Sequence, residues 1–187
     1  GPRLLVRDEH RSLKLALARG AVHLLDKYQL SSAHINFLPK HDAELLISDG
    51  WLHRTSIQFH WHNQGFTNFD AFLDSLSSRK RKNIRKERAS VIKAGVRLLP
   101  LTGDEITAAH IEDFYRFYMS TINRKWGGVY LTHQVFDQLR QTMANKMLLI
   151  MAKRDDQIIG GALNFIGEDT LFGRNWGADV DVPNLHF

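Results

Sequence analysis

The 187-residue chain contains no cysteine. That excludes a disulfide framework, a thiolate metal site and a cysteine nucleophile, so any chemistry must rest on His, Asp, Glu, Ser, Tyr, Lys or the backbone. No run of about 18 apolar residues is present to span a bilayer, and no basic-then-apolar leader ends in small residues. A soluble, cytoplasmic protein is the expectation. Internal repeats and low-complexity tracts are also missing. What remains is 43% hydrophobic and 24% charged, enough apolar material to bury a core in one or two domains.

Charge excess is confined to one place. The net charge is +5, yet the stretch from Arg79 to Arg88 holds seven basic residues and one acidic, a local +6 that leaves −1 for the rest. A helix-sized basic block points to a localised anionic contact or a solvated helix face, not to a protein coated for DNA. Aromatic residues do not interleave with these charges, which weakens a single-strand nucleic-acid platform. On a helix Arg81, Arg85 and Arg88 share one ridge, Lys82 and Lys86 a neighbouring one, and Ile84 and Val91 face the core. Clustered like charges repel, so the arginine ridge is expected to meet an anion: a phosphate-bearing acceptor, the donor's phosphates, or acidic side chains of a further part of the protein.

Periodicity divides the chain into alternating elements. Residues 4–6, 33–38 and 51–63 read as strands; in the last, Ile57, Phe59 and Trp61 fall on one face and Gln58, His60 and His62 on the other. Helices are read over 9–28, over 42–47 with a stop at Gly50, and over 69–94 with a break near Ser77-Ser78 and a stop at Gly95. Thr102-Gly103-Asp104-Glu105 introduces a helix to residue 123, and Thr132 caps another carrying Val135, Phe136, Leu139 and Met143. Three sequential antiparallel strands follow: the apolar run 147–152, then 158–166 after the polar turn Arg154-Asp155-Asp156-Gln157, then 170–176. The layout is α/β or α+β with a mixed sheet.

Several of these stretches carry a family resemblance. Phe72-Leu73-x-x-Leu76-x-x-Arg79-Lys80-Arg81-Lys82-x-Ile84-Arg85-Lys86-Glu87-Arg88, followed by Gly95-Val96, resembles the helix that joins two GNAT-like halves in Fem-type peptidyltransferases. Phe114-Tyr115-x-Phe117-Tyr118-x-x-Thr121, Lys125-Trp126-Gly127, Tyr130-Leu131-Thr132 and Ile159-Gly160-Gly161-Ala162-Leu163-Asn164 extend the likeness. More narrowly, Gly1-Pro2-Arg3-Leu4-Leu5, Gln58-Phe59-His60-Trp61-x-Asn63, Arg174-x-Trp176-Gly177 and Leu185-His186-Phe187 resemble the Fem-like family of peptidoglycan biosynthesis and recognition. The likeness runs across essentially the whole chain, and because Gly1-Pro2 fits it, that pair reads as native sequence.

The resemblance implies a GNAT-like fold holding parts of two tandem halves: 1–68 closing the first, 69–95 as the linking basic helix, and 96–187 opening the second. The chain would then be the middle of a longer protein, inactive by itself, whose last strands present an apolar edge or face covered by a partner such as a second copy in a homodimer. It further implies an acyltransferase that moves an acetyl, acyl or aminoacyl group from acyl-CoA or aminoacyl-tRNA to an amine, peptide or cell-wall precursor. No permanently bound cofactor is expected, and tRNA is a candidate partner. A Gly-rich diphosphate loop at a helix start, the usual CoA grip, is not in the sequence.

Site residues follow from the same likeness. Gly160, Gly161, Leu163 and Asn164 would lie on a splayed central strand that offers backbone N–H groups to the donor, although the two glycines equally suit the end of a hairpin. His60 and His62, on one face of a strand, suit a general base, a zinc site lacking a specified third ligand, or the polar face of an edge strand; no metal is assigned. Gln58, Asn63, Trp126, Arg174, Asn175 and Trp176, with the ridge Arg81, Arg85 and Arg88, would hold the substrate. Equally, Trp176 suits the core and Arg174 the surface. The competing readings are a non-catalytic anion- or nucleic-acid-binding module built on residues 79–88 and a catalytically silent interaction domain.

Overall fold

The computed structural model of the chain describes residues 2–124 and 128–186, so Trp126 lies outside the described residues. Two compact units are formed, Gly1–Asn63 and Gln64–Phe187. In the first, a 3-10 helix, Asp8–Leu13, leads into α1, Lys14–Tyr28, and α2 spans Lys40–Ser48. Gln29 after α1 and Gly50 after α2 take positive φ values of 51° and 90°, the left-handed stop that ends many helices. Leu4, Ala18 and Leu46 form a small core with Leu15, Ile35, Leu38 and Trp51 packed on it.

Residues 4–6, 33–38 and 51–63 are not strands, contrary to their composition. β-Prone residues become a strand only where a neighbour supplies the ladder and a face to pack on. Among the described residues the four paired strands all belong to the second unit, and Leu52, Ile57 and Phe59 are 97%, 84% and 93% exposed.

The second unit begins with α3, Phe69–Asp74, capped by Asn68 Oδ1 accepting from Ala71 N at 2.9 Å. After a break comes α4, Ser78–Lys93, which ends at Gly95 with φ of 74°. Then follow β1 (Arg97–Leu101), α5 (Ala108–Asn123), α6 (His133–Met143), β2 (Met147–Arg154), β3 (Gln157–Ile166) and β4 (Leu171–Ala178). The sheet runs β1-β2-β3-β4 and every pair is antiparallel. The fold is α+β and consistent with a GNAT-like architecture, but its sheet is not mixed. Between β2 and β3 the chain reverses tightly: Asp155 and Asp156 take φ of 49° and 65°, the double positive φ of the turn whose twist matches a two-residue hairpin; β1 joins β2 through α5 and α6, which lets it pair antiparallel as well.

Each sheet face has its own cover. Met147, Leu149, Met151 and Leu163 pack on Ile111, Phe114, Phe117 and Tyr118 of α5 and Phe136 of α6. On the opposite face Ala152 and Ile159 meet Val96 and Val182, with Val91 of α4 and Leu185 alongside. α5 also satisfies carbonyls of β4: Thr121 Oγ1 donates to Trp176 O and Ser120 Oγ to Ala178 O, both at 3.2 Å. Arg116 of α5 bonds Asp179 and Asp113 at 2.6 Å each, and these carboxylates, Asp179 foremost, hold its guanidinium above its ordinary pKa. Helix and edge strand are thereby fixed in register.

Candidate functional site

The register between β3 and β4 slips once. Leu163 opposes Asn175 while Asn164 opposes Gly173, which leaves Arg174 as the extra residue of a β-bulge. A bulge interrupts the up-down alternation of side chains and re-aims one of them. Asn175 shares the α5 face with its partner Leu163. Arg174 reaches the same side, its Nη2 donating to Tyr130 Oη at 3.2 Å. Tyr130 in turn meets the ring of Tyr118 edge-on at 6.3 Å, and Tyr118 Oη accepts from Leu131 N at 3.4 Å. The wall behind is aromatic, because Tyr115 and Tyr118 lie one turn apart on α5 and both reach Phe136.

One atom in this corner is unsatisfied. Asn175 Oδ1 is buried without a hydrogen-bond partner among the described residues. Such an acceptor costs about 1–3 kcal/mol unless water or a ligand supplies a donor. The neighbouring groups complement it. The Arg174 guanidinium can grip a carboxylate or phosphate, Asn175 Oδ1 can accept an N–H, and the Tyr130 hydroxyl, already accepting from Arg174, has its own proton free to donate. An anionic group close to an amide or amine is the ligand chemistry that these three side chains match.

The other sequence-derived site residues are distributed differently. Trp176 pairs with Ala162 on the opposite sheet face, where its ring lies 3.3 Å from the point a Gly160 Cβ would occupy. The trio Arg174, Asn175, Trp176 is thus divided between two faces. A Cβ at Gly161 would come 2.9 Å from Met151 Sδ and 3.2 Å from Phe114 Cδ2, so this glycine serves the packing of α5. Leu163 is core, and Asn164 Nδ2 donates to Leu148 O at 3.2 Å and Ala162 O at 3.4 Å. β3 is paired by β2 on one side and β4 on the other, with one register shift on each side. The ladder slips twice: against β2 the shift leaves Ile159 of β3 as the extra residue, and against β3 it leaves Arg174 of β4.

The arginine ridge of α4 is met from within the chain. Arg81 Nη1 donates to Asp74 Oδ1 at 2.8 Å, Arg85 Nη2 lies 3.7 Å from Asp70 Oδ1, and the Arg88 guanidinium sits 4.2 Å over the Phe69 ring. All three partners are on α3, whose short sequence offered no sign that it folds back along the ridge.

Gln58, His60, His62 and Asn63 lie in the first unit, in an exposed irregular segment, with the two imidazole centroids 6.1 Å apart. No group of three or more His, Asp or Glu suited to a metal occurs among the described residues. The first unit also holds a cleft of about 600 Å³ between Ile35, Leu38, Leu46, Trp51 and Arg54, and none of the residues singled out from the sequence lines it. Tyr118 and Tyr130, which complete the Arg174 corner, lie in stretches that carry the family resemblance, yet neither was singled out as a site residue.

A family model described as FemAB-like, peptidoglycan biosynthesis/recognition, matches residues 1–187. No curated protein matches the chain. Among the described residues no helix is long and apolar enough to cross a membrane.

Proposed function

The chain belongs to the FemAB-like family of peptidoglycan biosynthesis and recognition, and from that premise we propose that it serves an acyltransferase whose acceptor is a cell-wall peptide held at Arg174, Asn175 and Tyr130. The donor is an aminoacyl-tRNA ester or an acyl-CoA thioester. The acceptor amine attacks the donor's carbonyl carbon; a C–N bond forms, the C–O or C–S bond breaks, and the amine proton passes to the leaving group. The chain's own residues orient and polarise. Arg174 takes an acceptor carboxylate, Asn175 Oδ1 accepts an acceptor N–H, and the free Tyr130 proton, with the backbone N–H released at the bulge, faces the developing oxyanion.

The observation that carries this reading is the bulge, which turns Arg174 towards Tyr130 on the face that Asn175 occupies. The test incubates full-length protein with a muropeptide acceptor and, in parallel, aminoacyl-tRNA or acetyl-CoA, and weighs the acceptor by mass spectrometry. A gain of one aminoacyl or acyl group with either donor is expected. An unchanged acceptor with both donors would reject the reading.

A further inference from the structure

The arginine ridge does not exhaust the charge of α4. Arg79, Lys82, Lys86 and Lys93, at steps of three, four and seven residues, fall on a second face of the same helix. All four are exposed, and none makes a hydrogen bond or ion pair among the described residues. The row is straight and about 21 Å long at the helical rise. Arg81, Arg85 and Arg88 have α3 beside them; this row has no ion-pair partner among the described residues.

We propose that the Arg79–Lys82–Lys86–Lys93 row docks the protein on a bilayer surface rich in anionic lipid headgroups. Three features favour that partner over RNA. Lysine predominates, a hydrated point charge that needs no fixed bidentate geometry. α4 carries no aromatic residue to stack a base. A straight basic helix face suits a plane of headgroups, where each cation contributes independently. Among the described residues no helix is long and apolar enough to cross a membrane.

The experiment is co-sedimentation of full-length protein with vesicles of phosphatidylcholine alone or mixed with phosphatidylglycerol, beside a competing RNA duplex at equal phosphate. Binding is expected only to the anionic vesicles, weakening as salt rises, with about a five-fold loss for each of Lys82→Gln, Lys86→Gln and Lys93→Gln. The triple Lys→Glu variant should not bind, while Arg85→Gln on the partnered ridge should change little. These residues are solvent-exposed, and an unchanged circular dichroism spectrum confirms folding of each variant. The proposal is overturned by absence of binding to anionic vesicles, by binding that the triple variant retains, or by RNA displacing the vesicles.

Discussion

Replacing Gly177 by alanine puts the packing of the sheet half to a quantitative test. Gly177 sits where α5 crosses β4, and an added Cβ would lie 2.6 Å from the carbonyl carbon of Phe117 and 3.0 Å from its Cβ, with the Phe117 carbonyl oxygen nearer still. Comfortable carbon contacts need about 3.5–4.0 Å, so helix and strand must part by about 1 Å. No flexible side chain can absorb this, because the obstacle is helix backbone. The shift would stretch the hydrogen bonds from Thr121 to Trp176 O and from Ser120 to Ala178 O, now 3.2 Å each, beyond useful length at about 1 kcal/mol apiece. With overpacking strain of about 1–3 kcal/mol, the loss should be about 3 kcal/mol or more. Thermal unfolding of the second unit should fall by roughly 10 °C. Gly173→Ala is the control, since its Cβ would meet only Asn164 Oδ1 at an ordinary 3.7 Å, and it should be nearly neutral. A Gly177→Ala protein within about 0.5 kcal/mol of wild type would refute the close approach of α5.

The first unit offers two further tests. Lys14 Nζ bonds the buried Asp42 Oδ1 at 2.5 Å, with His41 Nε2 at 3.1 Å from the same oxygen; Lys14→Ala should cost about 3 kcal/mol in urea unfolding by stranding that carboxylate, and Lys14→Met with Asp42→Leu should recover most of it. Additive losses in the double variant would contradict the pairing. The Arg19 hydrogen bond holds the Asp49 carboxyl below its usual pKa of 3.8. A depressed folded-state value means that the pair stabilises above the unfolded pKa and that this support is lost as pH falls through the folded one. An NMR titration of Asp49 should therefore move up towards the ordinary range in Arg19→Ala; an unshifted curve would show that the pair does not persist in solution.

Much of the second unit was legible in the sequence because its signals are local. The apolar run from Met147 and the Asp155-Asp156 reversal each depend on neighbours within a few residues, and each forms as read. The break before α4 and the stop at Gly95 belong with them. Non-local facts were not legible. Residues 51–63 alternate like a strand, but alternation does not provide a ladder partner. The fold-back of Asp70 and Asp74 onto Arg85 and Arg81 depends on how α3 and α4 meet, which no spacing encodes. The bulge arises from a register slip opposite Leu163 and Asn164, so the sequence shows Arg174-Asn175-Trp176 as one motif where the fold separates the tryptophan from the other two.

The placement of the acceptor rests on Arg174. It donates to Tyr130 and has further guanidinium N–H groups for an anion, and a charge-assisted hydrogen bond to such a group is worth about 1.5–3 kcal/mol. Steady-state transfer by full-length protein, with acceptor varied at saturating donor, should show the KM for a muropeptide carrying a free carboxylate rising about 10- to 100-fold in Arg174→Ala. Arg174→Lys should restore part of the loss, the unfolding midpoint should hold, and an acceptor with an amidated carboxylate should respond far less to the substitution. An unchanged KM in Arg174→Ala, or an equal loss with both acceptors, would contradict the assignment of the β4 bulge as the acceptor site.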